Sequence, residues 1–436
     1  MSTVPTAQID ADLPLTGNDK GMPCGIAPLR IDQVAAQGWN VLKEDLPLPL
    51  AVLKQQALAH NSAWMRDFLA DSGAQISPHG KTSMSPQLFA LQEQDGAWAI
   101  TISTAHQLHV VRSAGFKRIV MANQLLGRKS IDYVLDELKR DPDFEFYCLV
   151  DSVEGVELLA EAARAREVGR PLQVLLEGGF QSGRTGCRSL EQAMSTARAV
   201  HAASPYLCLS GVEGFEGMIR RPTTEETLSA VQDFLRYLVS IANECTRESL
   251  FGADLLIMSA GGSIYYDMVA TEFAALDLGR PYITLTRSGC YLTHDSVVYV
   301  RAQEGFNERN PAVAQRSPGL QPAIEVWAYV QSRPEPELAI VTMGKRDVTP
   351  DHPPKLLQWY RPDGSMATPV PAPKDHTIID LNDQHARLSV PADSPLRVGD
   401  MLCFGIGHPC LTFDKWRVML MTDDRYDVVG AVRTYF

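Results

Sequence analysis

Eight short apolar runs recur between residues 75 and 289, and most neighbours are separated by a segment with helical spacing. The runs are QISPHG (75–80), WAITIS (98–103), RIVMAN (118–123), FYCLVDS (146–152), LQVLLEGG (172–179), YLCLSG (206–211), LLIMSAGG (255–262) and YITLTRSG (282–289). Between them lie stretches such as VEGVELLAEAARAREVG and SLEQAMSTARAVHAA. Strands that are apolar throughout must bury both faces, which requires a parallel sheet covered by helices. Eight such units predict a closed (β/α)8 barrel. A doubly wound open sheet is the rival architecture, and the absence of a GxGxxG turn after an early strand counts against it.

At 436 residues the chain exceeds what one hydrophobic core can organise, so a second domain is expected. Residues 1–47 read as a polar N-terminal extension dotted with Pro and Gly. LPLAVLK (48–54) reads as a strand, followed by a helix carrying Trp64, Met65, Phe68 and Leu69 on one face. Beyond residue 290 the texture changes to short alternating runs: VVYVRA, EVWAYVQS, LAIVTMG, ARLSV, DMLCFGIG, RVMLMT and VVGAVRTYF. These predict an antiparallel β domain over 291–436, after an α/β barrel over 48–290. The proline-rich stretch 351–376 is expected to be a surface excursion, and the early strand 48–54 is free to pair into the β domain.

A net charge of −12 argues against a broad nucleic-acid surface. No apolar segment approaches membrane-spanning length, and MSTVPTAQIDADLPL lacks the basic flank and apolar run of a signal peptide. The eight cysteines include no CxxC pair and mostly sit in apolar runs, as expected of reduced thiols in a cytoplasmic protein.

In such a barrel, chemistry belongs at the C-terminal ends of the strands. His79 and Lys81 follow the first run, Asn123 the third, Asp151 the fourth, Glu177 to Arg184 the fifth and Glu213 the sixth. Gly80-Lys81-Thr82 is not a phosphate loop, because position 75, which would have to be glycine, is Gln75. Two glycine-rich turns, Gly261-Gly262-Ser263 and Ser288-Gly289-Cys290-Tyr291, offer backbone N–H groups suited to a phosphate. With a lysine on the same rim they point to pyridoxal 5'-phosphate, whose aldehyde bonds covalently to an amine. Farther on, GIGHPCLTFDKW places His408 and Cys410 two apart, so that on an extended strand both side chains leave one face. Imidazole plus thiolate favours zinc, and a two-residue set leaves coordination positions open.

Together these residues resemble the alanine racemase-like, fold-type III pyridoxal phosphate enzymes, within them the D-serine dehydratase and D-threonine aldolase group. Pro78-His79-Gly80-Lys81-Thr82 matches the motif whose lysine holds the cofactor, GGFQSGRTG carries the group's arginine as Arg184, and RSGCY matches its arginine-x-glycine-x-tyrosine stretch. The resemblance implies cofactor contacts by Lys81, His79, Arg184, Gly261, Gly262, Ser263, Gly289, Cys290 and Tyr291, and Zn2+ held by His408 and Cys410. A histidine-x-cysteine pair, where the aldolases have histidine-x-aspartate, implies a D-serine dehydratase acting on a small D-amino acid, with Lys81 as base. It also implies a homodimer. Ser77, Ser83 and Gln384-His385 depart from the group's pattern and bear on substrate choice. A D-threonine aldolase, a metal-free racemase, a non-catalytic cofactor carrier and a sugar-phosphate barrel are the other readings. The carriers lack a β domain, and the last leaves His408 and Cys410 without a task.

Overall fold

The computed structural model describes residues 13–436. The chain divides into two compact units. One comprises Arg66–Lys81 and Glu93–Gly289; the other comprises the described residues up to Met65 together with Thr82–Gln92 and Cys290–Phe436. Among the described residues no helix is long and apolar enough to cross a membrane.

Strand β1 (Leu50–Lys54) precedes the eight strands of the first unit. Those are β2 (Gln75–Ile76), β3 (Ile100–Ile102), β4 (Arg118–Gln124), β5 (Glu145–Val150), β6 (Leu172–Gly178), β7 (Leu207–Gly214), β8 (Leu256–Ser259) and β9 (Tyr282–Thr286). All pair in parallel in the order β2-β9-β8-β7-β6-β5-β4-β3. A parallel bridge between His79 and Thr101 joins the ends of that order, so the sheet closes into the expected barrel. Ala99, Val120, Leu149, Leu175, Ile257 and Leu285 fill the interior, each at most 5% exposed. The helices between strands begin where side chains can cap them. Thr104, Ser152, Ser189 and Thr223 each accept a hydrogen bond from a backbone N–H three residues on. Thr223 and Glu226 complete a reciprocal capping box.

The second unit holds β1 together with β10 (Ile324–Glu335), β11 (Leu338–Val341), β12 (Lys355–Tyr360), β13 (Val370–Pro371), β14 (Thr377–Leu381), β15 (Ala386–Ser389), β16 (Met401–Gly405), β17 (Val418–Thr422) and β18 (Val428–Arg433). Its longest path runs β13-β12-β16-β10-β1-β17-β18. Pairing is antiparallel except where β1 lies parallel to β17. The early strand thus joins the β sheet, as its sequence allowed.

Two expectations fail in this unit. VVYVRA lies in a helix, Val298–Arg309, despite its β-branched residues. The carboxylate of Asp295 accepts from the N–H groups of Val297, Val298 and Tyr299 and so caps the first turn, overriding strand propensity. The proline-rich stretch 351–376 is not a simple excursion: β12 pairs with β16 along its length. KLLQWY supplies the strand, and of the surrounding prolines only Pro371 enters the sheet, in the two-residue end strand β13. The described part of the N-terminal extension is irregular but not loose. Leu15, Met22, Ile31 and Val34 are buried against Leu50, Trp327, Val418 and Tyr426. Lys20 lies 2.6 Å from the fully buried Asp347 and 3.7 Å above the centre of the Trp416 ring.

Candidate active site

The C-terminal ends of the barrel strands surround a cavity of about 360 Å³. That is ample for a cofactor-sized ligand. His79 and Lys81 line it, as do Asn123, Glu177, Arg184, Glu213, Gly261, Gly262 and Arg287. Lys81 lies in a single 3₁₀ turn, Gly80–Thr82, directly after the bridge that closes the barrel, and that closure fixes it at the mouth.

The cavity wall is polar and buried. His79 approaches the Ser103 hydroxyl at 3.3 Å through Nε2, while its Nδ1 is shielded from solvent and meets no hydrogen-bond partner among the described residues. Burial, and then the positive charges of Lys81, Arg287 and Arg184, hold His79 well below the usual imidazole range, so the ring is neutral. Glu213, 1% exposed, pairs with Arg287. Burial pushes its carboxyl up to about 8 despite the guanidinium. Glu213 Oε2 and Arg287 Nε are further buried atoms without a hydrogen-bond partner among the described residues. Glu177 accepts from Thr185 at 2.8 Å, and burial raises its carboxyl too. Arg184, exposed at the rim, stacks 4.7 Å from the centre of the Phe215 ring. Unpaired buried polar atoms in a roomy cavity are costly unless a ligand meets them. Pyridoxal phosphate fits this set: an amine for its aldehyde, neutral and charged partners for its ring, and an aromatic-backed arginine.

Gly261 and Gly262 line the cavity, yet their N–H groups do not offer the expected phosphate cradle. Gly261 donates to Glu216 Oε2 at 2.9 Å and Gly262 to Oε1 at 3.1 Å. Ser263 is hydrogen-bonded by the Ser288 hydroxyl at 3.2 Å. Gly289 ends the first unit, whereas Cys290 and Tyr291 are buried in the second.

In that second unit His408 and Cys410 come together, but not on a strand. Strand β16 ends at Gly405, and Cys410 opens a short helix, Cys410–Phe413, behind a helical Pro409. Proline has no N–H for a sheet ladder and suits a helix start, so HPC turns away from the strand. The two side chains still influence each other, Cys410 raising His408 and His408 lowering Cys410. Cys410 Sγ also lies 3.4 Å from the Thr82 hydroxyl, which can donate to it, and 3.8 Å from the Sγ of Cys290. The Cys290 contact, then His408, holds the Cys410 thiol well below its usual range, whereas that same contact and burial raise Cys290 well above it. Cys410 is the thiolate of the pair. His408 is raised by Cys410 and faces Asp351 across 3.4 Å through Nδ1. Among the described residues no three His, Cys, Asp or Glu side chains gather into a metal cage. A thiolate beside an imidazole, which has a carboxylate behind it, nonetheless fits zinc as a two-residue donor set with open positions.

Sequence reasoning gave no role to Glu216, Phe215 or Asp351, and named Thr82 and Arg287 only as parts of motifs. Glu216 was visible as an acid just past an apolar strand; Phe215 and Asp351 carry no local signal.

Among solved structures the fold is that of the alanine racemase-like proteins. An alanine racemase-like protein from Idiomarina loihiensis matches at TM-score 0.67 and 16% identity, over 89% of this chain and 96% of its own. D-threonine aldolase from Filomicrobium marinum matches at 0.71 and 16%, over 91% and 97%. D-threo-3-hydroxyaspartate dehydratase from Delftia sp. HT23 matches at 0.70 and 21%, over 91% and 99%. Residues 323–422 match the putative serine dehydratase domain, so the chain resembles the group that its motifs implied. In sequence, the Delftia dehydratase is 28% identical over 256 residues, 58% of this chain and 63% of the relative. The aligned part is thus less than two thirds of that relative's length.

Proposed function

We propose that the chain is a pyridoxal phosphate-dependent lyase that removes water from a D-hydroxyamino acid, with D-serine as substrate and zinc as second cofactor. Water is lost across Cα and Cβ and regained on imine hydrolysis, so D-serine gives ammonia and a 2-oxo acid. One observation carries this reading: Lys81 opens onto a polar cavity in which buried atoms of His79, Glu213 and Arg287 await partners. The serine dehydratase match over 323–422, which includes His408 and Cys410, favours dehydration.

Pyridoxal phosphate supplies an electron sink for charge at the substrate α carbon, and zinc supplies Lewis acidity at a departing oxygen. The residues do the rest. Lys81 holds the cofactor and, once its amine is freed, takes the α proton; a base so placed contributes roughly 10²- to 10⁴-fold. Neutral His79 lines the cavity without adding charge beside Lys81 and Arg287. Arg184 supplies a cation at the rim, and His408 with Cys410 would hold the metal. The proposed assembly is a homodimer and its proposed setting the cytoplasm.

The test is turnover of D-serine, L-serine, D-threo-3-hydroxyaspartate and D-threonine, with and without chelator, reading 2-oxo acid. D-serine should give 2-oxo acid, L-serine none, and chelator should suppress the reaction. Glycine and acetaldehyde from D-threonine, without 2-oxobutanoate, would mean an aldolase. Lys81→Ala should abolish both turnover and the visible absorbance of the protein-bound cofactor, and retention of either refutes the proposal.

A further inference from the structure

Cys290, Cys410 and Thr82 meet at one point of the second unit. The two Sγ atoms are 3.8 Å apart, and Thr82 Oγ1 lies 3.4 Å from Cys410 Sγ and 3.8 Å from Cys290 Sγ. All eight cysteines are free thiols, so the contact is between two reduced sulfurs. Cys290 is 3% exposed and Thr82 4%, whereas Cys410 is partly open to solvent. Zinc held by His408 and Cys410 gives Cys290 no task, although its sulfur neighbours a proposed ligand. A disulfide places its sulfurs about 2.05 Å apart, so roughly 1.8 Å separates this pair from a covalent bond. Rotation about a single Cα–Cβ bond sweeps a sulfur through a larger distance. One sulfur is reachable from solvent and the other is buried against it, the arrangement of a reacting cysteine with a resolving partner.

We infer that Cys290 and Cys410 form an oxidation site: hydrogen peroxide closes them into a reversible disulfide, which withdraws Cys410 from zinc. The withdrawal rests on the metal reading above; the disulfide does not. In the first step the Cys410 sulfur attacks one peroxide oxygen, so that an S–O bond forms and the O–O bond breaks. The departing oxygen leaves as water with the thiol proton. In the second step the Cys290 sulfur attacks the Cys410 sulfur of that sulfenic acid, so that the S–S bond forms and the S–O bond breaks. The hydroxyl leaves as a second water with the Cys290 proton. Two thiols are oxidised by two electrons, and one peroxide is reduced to two waters. Thr82 Oγ1, close to both sulfurs, can donate to the departing hydroxyl. The product has no thiolate to offer, and thiolate is the form that zinc binds.

The test exposes the full-length protein, with and without added zinc, to hydrogen peroxide, then blocks free thiols and maps tryptic peptides without reductant. The expected product is lighter by two hydrogens. It joins residues 288–301, which carry Cys290, to residues 398–415, which carry Cys403 and Cys410. Fragmentation should place the link on Cys410, and dithiothreitol should reverse it. In Cys290→Ser the link should be lost and Cys410 should gain oxygen instead. The wild-type map decides the question even where that variant does not fold. Oxygen accumulating on wild-type Cys410 without a link, or a link through Cys403, would overturn the inference. The zinc arm follows release with a colorimetric chelator: zinc should leave as the link forms and rebind after reduction. A link formed with zinc fully retained would overturn the withdrawal. A wild type that never binds zinc would end the metal reading and the withdrawal with it, while the disulfide stands or falls on its own mass.

Discussion

The Sγ atoms of Cys290 and Cys410 stand 3.8 Å apart, although 120 positions separate them in the chain. They carry opposite protonation preferences: Cys410 is held as thiolate and Cys290 as thiol. Thiolates, not thiols, react with alkylating agents. Iodoacetamide at neutral pH should therefore modify Cys410 before the buried Cys148, Cys245, Cys290 and Cys403, and zinc should slow the labelling. Peptide mass spectrometry over a time course checks this. Labelling of Cys290 ahead of Cys410 would contradict the assignment.

A carboxylate behind a metal-bound imidazole orients the ring and raises its basicity. Asp351 lies 3.4 Å from His408 Nδ1 and would stand in that relation to it if His408 holds zinc, as proposed. Asp351→Asn should weaken zinc binding roughly 10- to 100-fold, and His408→Ala by more. Both variants should keep the cofactor absorbance that depends on Lys81. Zinc-to-protein ratios after dialysis against buffered zinc provide the measurement, and unchanged affinity in His408→Ala would remove His408 from the donor set.

Glu213 makes a signed prediction about pH. Above about pH 4.5 the unfolded chain carries this carboxylate ionised, while the folded chain keeps the proton up to about 8. Across that window the folded state binds more protons, so this group makes stability fall as pH rises. Glu213→Gln should flatten the fall in Tm between about pH 5 and 8, by roughly 2–6 °C. Calorimetry across that range decides it, and a variant with the wild-type slope would show that Arg287 keeps Glu213 ionised.

Lys20 tests whether the N-terminal segment is integral. Lys20→Met leaves the fully buried Asp347 without its cation and removes the contact with the Trp416 face. Because Lys20 itself is about one-third exposed, the expected cost is about 1–3 kcal/mol, below that of a fully buried pair. Asp347→Asn added to Lys20→Met should recover part of it. Denaturant unfolding of both variants gives the comparison, and a neutral Lys20→Met would mean that the segment adds nothing through this contact.

The barrel was legible in the sequence because strands buried on both faces have no choice of composition, and runs such as LQVLLEGG announce themselves. That Lys81, His79 and Arg184 would line one cavity was legible for a related reason, since the strand ends that precede them are fixed once the strands are found. Helix Val298–Arg309 was misread, because its β-branched residues speak for a strand and the deciding cap comes from Asp295, just outside the run. His408 and Cys410 were expected on an extended strand, but Pro409 starts a helix, so alternation along a strand is not what relates them. Tertiary structure alone brought Glu216 under the Gly261–Gly262 turn, Arg287 onto Glu213, and Cys290 against Cys410. Periodicity reports which face of an element is buried. Which polar group meets which across the core depends on closure and register, which only the folded chain possesses.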